Sequence, residues 1–266
     1  VSGLDARHLA PVNVPGSLPA EIAPLVSSLD ALVGRVTEVL DNERRFTAGA
    51  AHELRTPLAA LKIQAQVARR TLDDSVRGHA LDQVLSGVDR MTHLVEQLLT
   101  LARLDPDAGA ATAEGVALLE LAELAEAVCS VLTPQALRRE QTLELEAGAG
   151  LRLCGNRWWL DVMLRNLVDN ALRYTPAGGH VLVSLDADTR SMRVADDGPG
   201  IARELRQKML TRFARGADTE ADGCGLGLSI VARIAEISGA SLSFEDGLAR
   251  PDGGAGLAVV VRFPET

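Results

Sequence analysis

The chain has 266 residues, 47% hydrophobic and 24% charged, which is enough apolar material for buried cores in about two domains and excludes a disordered polymer. Its formal net charge of -9 leaves no excess of Lys and Arg to coat a nucleic acid, so partners are expected among proteins and small molecules. Cys129, Cys154 and Cys224 lie far apart and form no C-x-x-C pair, so neither a disulfide framework nor a zinc cluster is suggested and they read as reduced, mostly packing residues. No apolar run approaches the roughly 18 residues a membrane span needs, and no signal peptide opens the chain. The start at Val1 carries the expectation of a longer protein with a segment upstream.

Residues 1–18 are rich in Gly and Pro and read as an irregular entry segment. Ile22, Leu25, Leu29, Leu32, Val36 and Val39 then step by threes and fours, and the frame continues through Glu43, Phe46 and Ala50. This heptad seam predicts a long helix that pairs with another helix or another copy of itself. Within it lies AAHELRTPLAAL, where His52 falls two residues past a seam position, roughly 200° round the helix and so on the outer face. The His-Glu pair opens the zinc pattern H-E-x-x-H, but Thr56 stands where the second histidine would be and Pro57 follows. The stretch is either a metal site lacking a ligand or a chemistry built around one imidazole.

A break is expected around Asp73, Asp74, Ser75 and Gly78, followed by a second seam at Leu81, Val84, Val88, Met91, Val95, Leu98 and Ala102. Two antiparallel helices with one apolar stripe would close their core by doubling, which predicts a homodimeric four-helix bundle. Residues 105–115 have the composition of a linker. From 116 a helix is predicted through LLELAELAEAVCSVL, a strand at TLELEA and a helix through WLDVMLRNLVDNALRY. Strands at HVLVSLDA and SMRVAD, a helix from Leu226 to Ser238 and strands at ASLSFED and LAVVVRF follow. The fold class is therefore multidomain: an all-α hairpin, then an α/β sandwich with helices on one face of a sheet.

Four stretches of the second half carry unusual residues. Asn166 and Asn170 stand at i and i+4 on one helix, where neutral amide oxygens can complete a Mg²⁺ shell already rich in phosphate oxygens, and Arg173 and Tyr174 extend the patch. In ADDGPGI, Asp196 can accept a hydrogen bond from an exocyclic amine, while Gly198 and Gly200 permit close backbone approach. Gly223, Gly225 and Gly227 precede a helix and can open its N–H groups to phosphates, although neither G-x-G-x-x-G nor a P-loop is present. Between these lies TRFARGADTE, whose Arg212 and Arg215 could close on a γ-phosphate. Taken singly, each stretch also suits a solvated helix face, an Asx turn or ordinary surface arginines.

In this order and spacing the four stretches resemble the catalytic domain of sensor histidine kinases, and FTAGAAHELRTPLAAL resembles their phosphoacceptor box. The resemblance implies a Bergerat (GHKL) ATP-binding fold that binds ATP and Mg²⁺, and four segments. These are a HAMP remnant and signalling helix over 1–45, a dimerisation and phosphotransfer domain over 46–104, the linker over 105–115 and an ATP domain over 116–266. It also implies a bacterial inner-membrane protein whose membrane-bound sensor lies upstream of this cytoplasmic portion. Carried over by position, Asn170 is the Mg²⁺ ligand, with Asn166, Arg173 and Tyr174 close to the phosphates. Asp196 recognises adenine, Gly198 and Gly200 shape its pocket, Gly223, Gly225 and Gly227 form the end of a lid, and Arg215 and Arg212 approach the γ-phosphate. Leu210, Ala214 and Cys224 depart from the family's usual lid residues. His52 is then the phosphoacceptor, Glu53 its general base and Thr56 a group that orients water during dephosphorylation of a response-regulator aspartate. Pro57 removes an N–H and is expected to bend the helix below His52. The implied activity is autophosphorylation of His52 and transfer to a receiver-domain aspartate. The alternative is a GHKL-type ATPase or a nucleotide-gated dimeric scaffold, distinguished by ATP hydrolysis without phosphoprotein.

Overall fold

The computed structural model describes residues 23–104, 115–148, 150–214 and 224–265. The expected entry segment, residues 1–22 of the expected HAMP remnant and signalling helix, and nearly all of the linker lie outside them. The chain divides into two compact units, Val1–Gly87 and Val88–Thr266.

In the first unit, helix α1 (Ala23–Arg70) is continuous through Pro57. No described side chain of α1 is buried, and Leu29, Leu32, Val36 and Val39 are 42–58% exposed along the predicted seam. Such a stripe is apolar surface that no other described residue covers. Helix α2 (Asp74–Arg103) begins after a turn of three residues. Asp73 caps it, its Oδ1 accepting from Ser75 N at 2.8 Å and Val76 N at 3.2 Å. The break therefore falls at Thr71–Asp73, earlier than expected, and Gly78 is an interior residue of α2 with open space where a Cβ would sit. A strong cap fixes where a helix starts, whereas one exposed glycine inside it costs only about 1 kcal/mol and stops nothing.

The second unit takes in the end of α2, where Leu94, Gln97 and Leu101 are buried, as is Leu104 just past its end. This stripe is offset from the predicted seam, whose Val88 and Val95 stay 47% and 41% exposed. Strand β1 (Val116–Glu120) leads directly into α3 (Leu121–Arg138). The helix expected from LLELAE thus starts three residues late, because Leu118–Glu120 pair antiparallel with Arg152–Cys154 of β3 (Arg152–Asn156). Glu120 holds that pairing by accepting from Arg152 Nε at 3.0 Å and Gly150 N at 3.2 Å. Strand β2 (Thr142–Ala147) and helix α4 (Arg157–Tyr174) match expectation. So do β4 (His180–Asp186), β5 (Ser191–Asp196), α6 (Gly227–Ile237), β6 (Ser241–Ala249) and β7 (Ala255–Arg262). A short α5 (Arg203–Arg206) and a 3₁₀ turn at Lys208–Leu210 lie between β5 and α6.

The main sheet runs β2-β4-β5-β7-β6, with β2 and β4 parallel and every other neighbour antiparallel. Val181, Val183 and Leu185 alternate into the core from β4 while their neighbours stay half-exposed, as a sheet covered on one face requires. Leu160, Met163, Leu164, Leu167, Val168, Ala171 and Leu172 give α4 its buried stripe. The polar residues left over on α4 include those singled out for chemistry.

Candidate nucleotide site

Helix α4 is fixed at both ends. Asn156 Oδ1 caps its start through Trp158 N at 2.9 Å and Trp159 N at 3.4 Å. At its finish the buried Gln141 donates through Nε2 to the carbonyls of Leu172, Thr175 and Pro176 at 3.0, 2.6 and 3.2 Å. Between these anchors the face carrying Asn170, Arg173 and Tyr174 borders a cavity of about 340 Å³. Asp196, Gly200, Gly225 and Gly227 line the same cavity, over an apolar floor that includes Leu167, Val194 and Val259. A concave, mainly apolar site with a few convergent polar groups is the usual form of a small-molecule pocket.

Asp196 ends β5 and is 6% exposed. Its Oδ1 accepts from Gly198 N at 2.9 Å and Leu257 N at 3.2 Å, and among the described residues Oδ2 has no protein donor. Burial pushes this carboxyl above its ordinary value and neighbouring Asp197 adds to the rise, opposed by the two backbone N–H groups. The strands close tightly here, since a Cβ at Gly256 would run into the Asp196 carbonyl.

On the opposite side, a Cβ at Gly227 would lie 2.8 Å from Asn170 Nδ2 and 3.1 Å from its Oδ1. Among the described residues the Asn170 amide has no hydrogen-bond partner, so a bare backbone and a free amide face one another across the cavity's polar end. Arg173 donates to Asp169 Oδ2 at 2.9 Å, Gln135 donates to Asp169 Oδ1 at 2.9 Å, and His93 Nε2 stands 3.8 Å from Oδ2. Both Asp169 oxygens are thereby engaged, Oδ1 tying α4 to α3 and Oδ2 holding Arg173 on α4 itself.

The remaining expected residues sit differently. Asn166 lies beside the cavity without lining it, its Oδ1 accepting from Gln97 Nε2 at 3.2 Å. Gly198 packs behind Tyr174, and Arg212 is exposed and lines no part of the cavity. Arg215 and Gly223 fall outside the described residues. Sequence reasoning missed Gln97, Gln141 and Gly256, each of which acts through a partner far away in the chain.

In the first unit, His52 is exposed on α1, as the outward position predicts. Thr56 is exposed four residues on, and Glu53 is half-buried. No hydrogen bond joins Glu53 to His52 among the described residues, since adjacent helical side chains point about 100° apart.

A family model of the histidine kinase-, DNA gyrase B- and HSP90-like ATPases matches residues 155–266, and one of the His Kinase A (phospho-acceptor) domain matches residues 42–107. The sensor protein kinase PmrB of Pseudomonas aeruginosa is 44% identical over 264 residues, 98% of this chain and 54% of that protein. The chain belongs to the sensor histidine kinases. Sensor protein QseC of Salmonella typhi is 44% identical over 237 residues, 88% of this chain and 51% of that kinase. Among solved structures, full-length ShkA in complex with AMPPNP is similar at 27% identity and a TM-score of 0.57, covering 83% of this chain and 45% of that one. The chain spans about half the length of the curated kinases it matches. Among the described residues no helix is long and apolar enough to cross a membrane.

Proposed function

We propose that this chain takes the γ-phosphoryl group of ATP onto His52 and passes it to an aspartate of a response-regulator receiver domain. The observation that carries the reading is the cavity where Asn170, Arg173, Tyr174 and Asp196 meet Gly225 and Gly227. Its parts suit ATP separately. Asp196 Oδ2 offers an acceptor to the adenine amine from the apolar end, and the side-chain-free backbone at Gly227 leaves room for phosphates beside Asn170. The free amide of Asn170 is the ligand we assign to Mg²⁺, which when bound neutralises phosphate charge in the transfer. Arg173, held by Asp169, lends positive charge to the same end. The match to AMPPNP-bound ShkA supports a nucleotide in this fold.

In the transfer, a neutral imidazole nitrogen of exposed His52 attacks the γ-phosphorus. The nitrogen–phosphorus bond forms as the bond to the bridging oxygen breaks, ADP leaves, and the ring proton goes to Glu53. Thr56 shares the exposed side of α1 and is assigned to orient water when the regulator is dephosphorylated. The exposed stripe of Leu29, Leu32, Val36 and Val39 supports a homodimer, in which a second α1 covers it. The reading places 46–104 as the dimerisation and phosphotransfer domain and 116–266 as the ATP domain, on the cytoplasmic side of a bacterial membrane. A GHKL-type ATPase needs a free carboxylate to activate water, and the engaged oxygens of Asp169 count against it.

Incubation with γ-labelled ATP and Mg²⁺ tests the reading. Acid-labile, alkali-stable label is expected on the wild type and absent from His52→Gln. Label that survives the substitution, or ATP hydrolysis without phosphoprotein, refutes it.

A further inference from the structure

Gln97 is a polar residue that nothing in the reaction above requires, yet it is 7% exposed, between the buried Leu94 and Leu101 of α2. Polar side chains that deep are usually hydrogen-bonded. Its Nε2 donates to Asn166 Oδ1 at 3.2 Å, and its Oε1 accepts from Cys224 Sγ at 2.8 Å. One amide from α2 therefore joins the asparagine helix to the glycine segment that leads into α6, and it borders the cavity itself. Arg233 secures the same stretch, donating from Nε to the Leu104 carbonyl at 3.2 Å.

Asn166 is engaged at both ends of its amide as a result. Its Nδ2 donates to the Val162 carbonyl at 2.8 Å on its own helix while its Oδ1 is held by Gln97. Held by these two bonds, Asn166 does not line the cavity, although a Cβ at Gly227 would come within 3.3 Å of its Oδ1. Asp196 and the apolar floor are untouched by the latch, so base recognition and phosphate recognition are separated.

We infer that Gln97 is a positioning residue that withholds Asn166 from the Mg²⁺–phosphate end of the site and tethers the glycine segment through Cys224. The inference rests on the nucleotide reading above. Gln97→Met tests it, because methionine has the same length, suits a buried position and can neither donate to Asn166 nor accept from Cys224 as an amide does. Binding of a non-hydrolysable ATP analogue is measured with Mg²⁺ and with the metal chelated, in the wild type, Gln97→Met, Asn166→Ala and the double variant, with melting temperatures to confirm folding.

Releasing one hydrogen bond is expected to tighten Mg²⁺-dependent binding about two- to tenfold and to leave metal-free binding unchanged. In the Asn166→Ala background the same substitution should do nothing. Equal or weaker Mg²⁺-dependent binding by Gln97→Met overturns the inference alone, as does a gain that persists without Asn166. A folded wild type that binds no nucleotide in either condition overturns the nucleotide reading and this inference with it.

Discussion

Replacing Gly227 by alanine separates folding from chemistry at one position. The new Cβ would meet Asn170 Nδ2 at 2.8 Å, whereas apolar carbon settles about 3.5 Å from a heavy atom, so the amide must retreat by about 0.7 Å. Asn166 Oδ1, at 3.3 Å, must also give slightly. Both obstacles are ends of side chains, and a displaced rotamer costs about 0.5–1.5 kcal/mol. Alanine in the first turn of α6 returns about 0.5–1 kcal/mol relative to glycine. The two nearly cancel, and the melting temperature of Gly227→Ala should stay within a few degrees of the wild type. Nucleotide binding should not be spared. Loss of a hydrogen bond to a charged group is worth about 1.5–3 kcal/mol, so Mg²⁺-dependent affinity should fall about 10- to 150-fold. Titration of a non-hydrolysable ATP analogue with and without Mg²⁺, beside a thermal melt, reads both quantities. Unchanged Mg²⁺-dependent affinity would refute the reasoning. An equal fall without the metal would show instead that the methyl group merely blocks the cavity.

Asp196→Asn should raise the melting temperature near neutral pH while abolishing ATP binding. The folded carboxyl is shifted upward, so its charged form costs stability once pH exceeds the unfolded value, and the variant's advantage should shrink as pH falls through the carboxylate range. A series of melts between neutral and acid pH checks this, and an advantage independent of pH refutes it. Among the cysteines, burial pushes the Cys129 thiol up to about 11 whereas Cys154 is exposed. Iodoacetamide at mildly alkaline pH should therefore modify Cys154 well before Cys129, with peptide mass analysis as the readout.

Much of the fold was legible because burial imposes a period. Val181, Val183 and Leu185 repeat every second residue, and the apolar stripe of α4 repeats by threes and fours. Strands β1 and β3 escaped for the opposite reason. Each is five residues long, and the leucines of LLE continue the helical spacing of the segment that follows. Only pairing with a distant partner decides that Leu118 is extended. Within the site, Asn170, Arg173, Tyr174, Asp196, Gly200, Gly225 and Gly227 were legible as residue types suited to a nucleotide, and all of them border the cavity. Gln97 was not, since it interrupts the apolar spacing of α2 like any surface glutamine and its partner Asn166 lies 69 residues away. Gln141 was hidden similarly, ahead of a strand and 31 to 35 residues from the carbonyls it holds.

The buried acid at the end of β5 also bears on which nucleotide is accepted. On the proposed reading, an ionised carboxylate there would offer acceptors alone, so the oxygen that takes the amine at position 6 of adenine would repel the carbonyl at the same position of guanine. That discrimination between two abundant triphosphates then turns on the protonation of Asp196, which desolvation favours and two backbone N–H groups oppose.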